Sequence, residues 1–283
     1  MCCDGPVTDN DTDPIQLRSV AEQLATEAAD FVRRRRLEVF GNPAPTADAA
    51  VRTKSTPTDP VTVVDTETER LLRDRLAELR PGENILGEEE GGSTGGRDGL
   101  TWVLDPIDGT VNFVYGIESY AVSVGVQRDG VSLAGAVANV PAGLLYSAAL
   151  GHGAHVQRDG VATPLRSSAA VELSMSLVGT GFSYAREQRA RQAEVLARLL
   201  PAVRDVRRIG SCALDLCMVA AGALDGYYED GVHVWDWAAG ALIAAEAGAI
   251  VSLPPADRAA GRIMAAAPGI AEALTDALRR SGG

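Results

Sequence analysis

Between Thr101 and Phe113 an apolar run, Trp102-Val103-Leu104, carries Asp105 to the end of a predicted strand. Pro106-Ile107-Asp108-Gly109-Thr110 follows at once. Proline lacks a ladder donor and is expected to stop the strand, and Gly109-Thr110 to open a turn or a short helix. Two carboxylates three residues apart then stand at the mouth of one element, beside free backbone N–H groups. Carboxylates suit a hard cation, and N–H groups at a helix start suit an anion. A site that needs both at once points to a phosphorylated substrate bound with magnesium. The plainer reading is a turn, since Asp, Pro and Gly all favour turns. Against it, the tryptophan-led strand delivers both acids to one edge.

With 283 residues, 46% of them apolar, the chain can bury one large core or two moderate domains that share one. No apolar run reaches membrane-spanning length and no secretory pattern opens the chain, so a soluble cytoplasmic protein without a membrane partner is expected. The net charge of −12 argues against non-specific nucleic-acid binding, which needs a basic face. It does not exclude an anionic substrate, because bound Mg²⁺ can invert the local field. Cys2, Cys3, Cys212 and Cys217 have neither zinc-site nor disulfide-framework spacing. The histidines, His152, His155 and His233, are too scattered for a histidine-based metal site.

Residues 1–14 read as a disordered acidic tail. Helical spacing of Leu17, Val20, Leu24, Ala28, Phe31 and Val32 predicts a helix over Ile15–Phe40. Arg33–Arg36 close it, read as a solvated last turn that suits the helix dipole rather than as a nucleic-acid patch. Residues 41–60 are irregular. A second helix is expected over Val64–Leu79, a strand over Asn84–Gly87, and a Gly-rich loop over residues 91–99. Residues 119–165 read as an antiparallel meander with hairpin turns at Asp129-Gly130 and Asp159-Gly160. Beyond it strands at Ser174–Gly179, Val203–Arg208 and Gly226–Glu229 alternate with helices at Ala185–Leu200, Ser211–Leu224 and Trp235–Gly248. That is an α/β pattern. The expected division is an N-terminal α+β unit, 15–170, carrying the antiparallel sheet and most acids, and a C-terminal α/β unit, 171–283.

Further acids fall at element ends. Lys54 and Asp59 precede Asp65, which leads into the second helix; Glu88-Glu89-Glu90 follows a strand; Glu229 follows Tyr227-Tyr228; Asp236 opens the last long helix. Each has a plain alternative. Asp65 and Asp236 fit helix N-caps, Glu88–Glu90 fit solvated loop charge, Lys54 fits a surface cation, and Glu229 fits an exposed strand end. His233 reads as a loop residue and not a ligand. Taken together the acids fit a multi-carboxylate Mg²⁺ site.

Three segments, Gly87-Glu88-Glu89, Asp105 to Phe113 and Trp235-Asp236-Trp237-Ala238-Ala239-Gly240, resemble the signatures of the inositol monophosphatase family. Lys54…Asp59…Asp65 matches its opening motif, and Arg208 to Leu216 with Tyr227-Tyr228-Glu229 its substrate-side segment. The similarity runs in order from about Ile15 to the C-terminus and is strongest toward bacterial inositol-1-monophosphatases. It implies a layered α-β-α-β-α sandwich, usually a homodimer, dependent on Mg²⁺ (two or three ions per site) and often inhibited by lithium. It implies metal ligands at Glu88, Asp105, the Ile107 carbonyl, Asp108 and Asp236. Asp65 and Thr110 would help activate the attacking water, with Glu89 and Lys54 nearby. Gly109 and Thr110 would offer N–H groups to the phosphate, and Gly210, Ser211, Cys212 and Glu229, with Asp108 and Asp236, would line the substrate. Val111 and Cys212 depart from the common Thr and Ala, and the segment after Val251 lacks family detail.

Phosphate monoester hydrolysis can need acceleration on the order of 10²¹ and offers little covalent work. Two metal ions meet that demand, one making a nucleophile of water and one stabilising the leaving oxygen. The expected reaction is hydrolysis of myo-inositol 1-phosphate to myo-inositol and phosphate. Fructose-1,6-bisphosphate, histidinol phosphate, 3′-phosphoadenosine-5′-phosphate or a broad set of esters stay open as substrates, and so does a partner-binding regulatory role on the same fold.

Overall fold

The computed structural model describes residues 12–41, 51–54, 60–93, 99–255 and 260–282. Most of the acidic tail, the greater part of residues 41–60, Cys2, Cys3, Asp59 and most of the Gly-rich loop lie outside the described residues.

The chain opens with helix α1 (Pro14–Phe40), which starts at an Asp13 cap with proline in its first turn. A two-stranded ribbon, β1 (Val51–Thr53) and β2 (Pro60–Thr62), leads into α2 (Val63–Leu79). Strands β3 (Asn84–Gly87), β4 (Gly91–Gly92) and β5 (Thr101–Asp108) follow, then the short helix α3 (Thr110–Tyr115). The meander is β6 (Ala121–Arg128), β7 (Val131–Asn139), β8 (Leu144–Ala149), β9 (Ala154–Arg158) and β10 (Val161–Pro164). Asp129 and Asp159 adopt φ of 50° in two of its four hairpins, each followed by glycine at 79°, as tight primed turns require. One eight-stranded sheet results, in the order β10-β9-β8-β7-β6-β5-β3-β4.

The second half alternates β11 (Leu177–Thr180), α4 (Arg186–Leu199), β12 (Asp205–Arg207), α5 (Cys212–Ala220), β13 (Gly226–Val232) and α6 (Val234–Glu246). Then come β14 (Ile250–Ser252), β15 (Gly261–Ala266) and α7 (Ala271–Arg280). The five-stranded sheet runs β12-β11-β13-β15-β14, parallel through its first three strands and antiparallel at β15.

Strand alternation sorts the core into layers. Val122, Val124 and Val126 of β6 face α1 and α2, with Leu17, Leu24, Leu72 and Trp102. On the other face Ala121 and Val137 pack with α5 and α6, against Tyr227 and Ile263 of the second sheet. The far side of that sheet, Val178, Tyr228 and Met264, packs on α4 and α7. The order is helices, sheet, helices, sheet, helices, the expected five-layer sandwich.

One close contact sets the middle layer. Gly125 and Gly135 pair across β6 and β7. A Cβ on Gly135 would stand 2.7 Å from Ala239 Cα, and one on Gly125 2.9 Å from Ala238 Cβ. Two facing glycines let α6 lie directly on the sheet, and α6 carries Asp236.

Several expectations change. Pro106 does not end its strand: β5 runs on to Asp108 through a register irregularity between Asp105 and Asp108, where a residue without an N–H is tolerated. Arg33–Arg36 are not in the last turn, and Arg33, Arg35 and Arg36 are not simply solvated. Arg33 donates to the Val140 carbonyl, Arg35 forks onto Glu67, and Arg36 bonds the Phe113 carbonyl and lies over its ring at 5.8 Å. The expected strand at Ser174 begins at Leu177, after a 3₁₀ turn. Helix α5 stops at Ala220, ahead of Gly222 at φ 68°. The ribbon strands β1 and β2, the first within the stretch read as irregular, escaped the sequence pattern, as did β4, β14, β15 and α7.

Candidate active site

A cavity of about 390 Å³ opens where β5, α3, α5, β13 and α6 converge. Of the predicted site residues, Lys54, Glu88, Asp105, Ile107, Asp108, Gly109, Thr110, Gly210, Ser211, Cys212, Glu229 and Asp236 line it. Asp65 and Glu89 do not. Asp65 is buried behind Thr110, and Glu89 stands beside Lys54.

Two helix starts aim two of the acids. Asp65 is the third residue of α2 and not its N-cap: Thr62 caps the helix, and Asp65 Oδ2 accepts from the Thr62 N–H at 2.8 Å and its hydroxyl at 2.5 Å. Asp236 repeats the device in α6, where His233 takes the cap position and donates its N–H to Asp236 Oδ2 at 2.6 Å. His233 is thus the single loop residue between β13 and α6, and it takes the cap position of that helix. Capping takes one oxygen of Asp65, and the other, Oδ1, meets the Thr110 hydroxyl.

A third helix start holds Asp108. Ser211 Oγ and the Ala213 N–H both donate to Asp108 Oδ2 at 2.6 Å, at the positive end of α5. Asp105 accepts from the Ile107 N–H at 3.1 Å. Lys54 Nζ bridges Glu88 at 2.8 Å and Glu89 at 2.6 Å, so this stretch is not loose solvated charge. Glu69, which the sequence reading missed, is fully buried and accepts the N–H groups of Glu89 and Glu90. It shapes the turn that presents Glu88.

The electrostatics are those of crowded acids. Burial, then Glu88, Asp108 and Asp236, holds Asp105 well above the usual carboxylate range. Asp236 is raised well above that range by burial and then Glu88 and Asp108. Burial lifts Asp108 to about 6 despite its hydrogen bonds to α5, and Asp65 to about 6 despite Thr62. Glu89 rises to about 7 by burial and the charge of Glu88. Burial opposes the charge on Lys54, but Glu88 and Glu89 outweigh it and hold the ammonium protonated. As the side chains stand, no three His, Cys, Asp or Glu residues among those described form a ready ligand cluster. The donor set is nonetheless all oxygen, and its mutual repulsion is what a hard divalent cation would relieve.

The β11 and β13 side of the cavity was only partly legible. Glu229 lies inside β13, not at a strand end, because the strand continues to Val232. Burial raises its carboxyl to about 7, against a hydrogen bond from Tyr227. Gly181, Phe182, Ser183, Tyr184 and Trp235 also line the cavity and were not foreseen as site residues. The 181–185 segment carries no charge pattern that would mark it.

The profile of the inositol monophosphatase family matches residues 13–282. The chain belongs to the inositol monophosphatase family. Among curated family members, an inositol-1-monophosphatase of Mycobacterium leprae is 66% identical, over 96% of this chain and 97% of that one. The inositol-1-monophosphatase SuhB of Mycobacterium tuberculosis is 62% identical over 98% of both. A solved Mycobacterium tuberculosis SuhB structure superposes with a TM-score of 0.83 at 59% identity, covering 96% of this chain and 99% of that chain. The five-layer architecture is thus that of inositol monophosphatases. No helix among the described residues is long and apolar enough to cross a membrane.

Proposed function

We propose that this chain is a Mg²⁺-dependent phosphomonoesterase that hydrolyses myo-inositol 1-phosphate to myo-inositol and phosphate. The observation that carries the reading is the convergence of Glu88, Asp105, Asp108 and Asp236, from three separate segments, on one cavity. Its relatives named inositol-1-monophosphatase, matched over nearly their whole length, support the choice of substrate.

Glu88, Asp105, the Ile107 carbonyl, Asp108 and Asp236 would hold the metal, which when bound supplies a more acidic water and screens charge on the leaving oxygen. Asp65 and Thr110 act on the nucleophile: the Thr110 hydroxyl is 3.2 Å from Asp65 Oδ1 and 3.0 Å from the Ile107 carbonyl. That geometry lets the hydroxyl orient water while Asp65 takes up its proton. Gly109 and Thr110 offer backbone N–H groups to the phosphate. Lys54 keeps Glu88 and Glu89 oriented. Gly210, Ser211, Cys212 and Glu229 border the alcohol, where a buried carboxylate suits a polyol hydroxyl. We place the protein in the cytoplasm, as a homodimer, with lithium as an inhibitor.

A purified-protein panel of inositol 1-phosphate, fructose-1,6-bisphosphate, histidinol phosphate and 3′-phosphoadenosine-5′-phosphate tests the reading. Inositol 1-phosphate is expected to give the highest kcat/KM, and a preference of about tenfold for any other ester overturns it. Asp108→Asn is expected to abolish turnover in a folded protein. Full rescue of a cellular phenotype by that variant favours the regulatory role instead.

A further inference from the structure

Glu229 is held in place by two residues to which nothing so far gives a role. Tyr227 is fully buried, two residues earlier on the same face of β13, and its hydroxyl donates to Glu229 Oε2 at 2.5 Å. That is a charge-assisted bond at the short end of the range. From the other side the carboxylate lies flat on Gly181, just past the end of β11. A Cβ at Gly181 would fall 1.9 Å from Glu229 Oε2, 2.1 Å from its carboxyl carbon and 2.3 Å from Oε1. All three atoms of the carboxylate therefore occupy the space that any side chain at position 181 would take.

The backbone beneath Glu229 is pinned as well. Asp230 faces the opposite side of the strand and forks onto Arg262 at 2.8 and 2.7 Å. Its carbonyl accepts from Gln192 of α4 at 3.0 Å. A register irregularity between Asp230 and Val232 then turns the strand away. Such bulges beside a cavity re-aim side chains. One oxygen, the side-chain direction and the backbone of Glu229 are thus fixed, while Oε1 is given no hydrogen bond by Tyr227.

We propose that Gly181 and Tyr227 are positioning residues that fix the Glu229 carboxylate as a reader of hydroxyl groups on the alcohol. Through it they set selectivity for phosphate esters of polyols over esters whose alcohol carries no hydroxyl. This deepens, and rests on, the reading of the cavity as a phosphomonoesterase site. Tyr227 fixes which oxygen is left for the substrate, and Gly181 fixes how far the carboxylate sits from the phosphate. A hydroxyl of the wrong distance or count then leaves a buried carboxylate without a partner, which is a strong basis for rejection.

The experiment compares kcat and KM for inositol 1-phosphate and phenyl phosphate in the wild type, Tyr227→Phe, Gly181→Ala and Gly181→Ala/Glu229→Asp, with a melting curve for each. Tyr227→Phe is expected to raise KM for inositol 1-phosphate about tenfold while moving that for phenyl phosphate less than about twofold. Gly181→Ala is expected to lower the ratio of the two kcat/KM values by at least about tenfold. Adding Glu229→Asp withdraws the carboxylate by about 1.5 Å, one C–C bond, and is expected to recover part of that ratio. A purely structural role would lower both activities together with melting temperature and give no recovery. If Gly181→Ala does not fold, Tyr227→Phe, which removes one oxygen atom, decides alone. An active enzyme with an unchanged substrate ratio in folded Tyr227→Phe overturns this inference. A wild type inactive on both esters overturns the phosphomonoesterase reading and this inference with it.

Discussion

Thr110 Oγ lies 3.2 Å from Asp65 Oδ1, joining the start of α3 to the start of α2 across forty-five residues of sequence. The other oxygen of Asp65 is committed to the α2 cap, so Oδ1 alone faces Thr110. Asp65→Asn and Thr110→Ala should each lower kcat about 100- to 10,000-fold with little change in KM, and Thr110→Ser should retain most activity. Steady-state kinetics on inositol 1-phosphate check this. A KM effect without a kcat effect would remove the pair from the chemical step.

Cation binding should stabilise the fold, because it relieves the repulsion among Asp105, Asp108, Asp236 and Glu88. At about one hundred times its dissociation constant, Mg²⁺ should add about 2.7 kcal/mol, read as a rise in Tm. Chelation should reverse the rise and stop turnover, and Asp105→Asn should show neither effect. Asp108 holds a proton up to about pH 6, and Asp105 and Asp236 are held well above the usual carboxylate range. Protons therefore compete with the cation, and its apparent affinity should increase from pH 5 to 8. Affinity that is flat across that range would contradict the assignment.

Asp215 of α5 is a buried acid with no hydrogen-bond partner on either oxygen among the described residues. Burial, then Glu229, holds its pKa well above the usual carboxylate value. A folded-state pKa above the unfolded one means that folding takes up a proton. The benefit is full below about pH 4 and is lost as pH climbs from there toward the raised folded value. Asp215→Asn removes that dependence. It should be about 1–3 kcal/mol more stable than the wild type at pH 8, with the gap closing near pH 4. Denaturant unfolding at both pH values measures it, and a gap that widens on acidification would show the sign to be wrong.

Gly135→Ala should cost about 1–3 kcal/mol, because the new methyl must push α6 off the sheet at Ala239. Since Asp236 rides on α6, kcat/KM and the Mg²⁺-induced rise in Tm should fall with it. Ala134→Gly, on the other face of β7, should cost stability without that loss of metal response.

Much of the site was legible because it is written in short-range rules. The run Trp102 to Thr110 marks a strand delivering acids to a turn, and the apolar spacing from Val64 marks a helix start beside Asp65, although the cap itself is Thr62. Pairs of Asp-Gly mark the hairpins. These depend on propensity, capping and period, which act within a few residues. Pro106 misled because a strand can carry proline where its neighbour has already let go, and pairing partners are not visible locally. Arg33–Arg36 misled for a related reason. Their acceptors, Val140, Glu67 and Phe113, lie far along the chain and are reached only once α1 packs on the sheet.

The amino-acid order by itself determined which residues carry charge, roughly where most of the helices begin, and that Glu88, Asp105, Asp108 and Asp236 fall at or near element ends. Tertiary structure alone decided that α6 could press against Gly125 and Gly135 and bring Asp236 to Asp105, that Glu69 would shape the Glu88 turn, and that Gly181 would make room for Glu229. The reason is physical. Capping and periodicity are local energies, whereas the meeting of distant side chains depends on which faces are buried against each other and how closely their backbones approach.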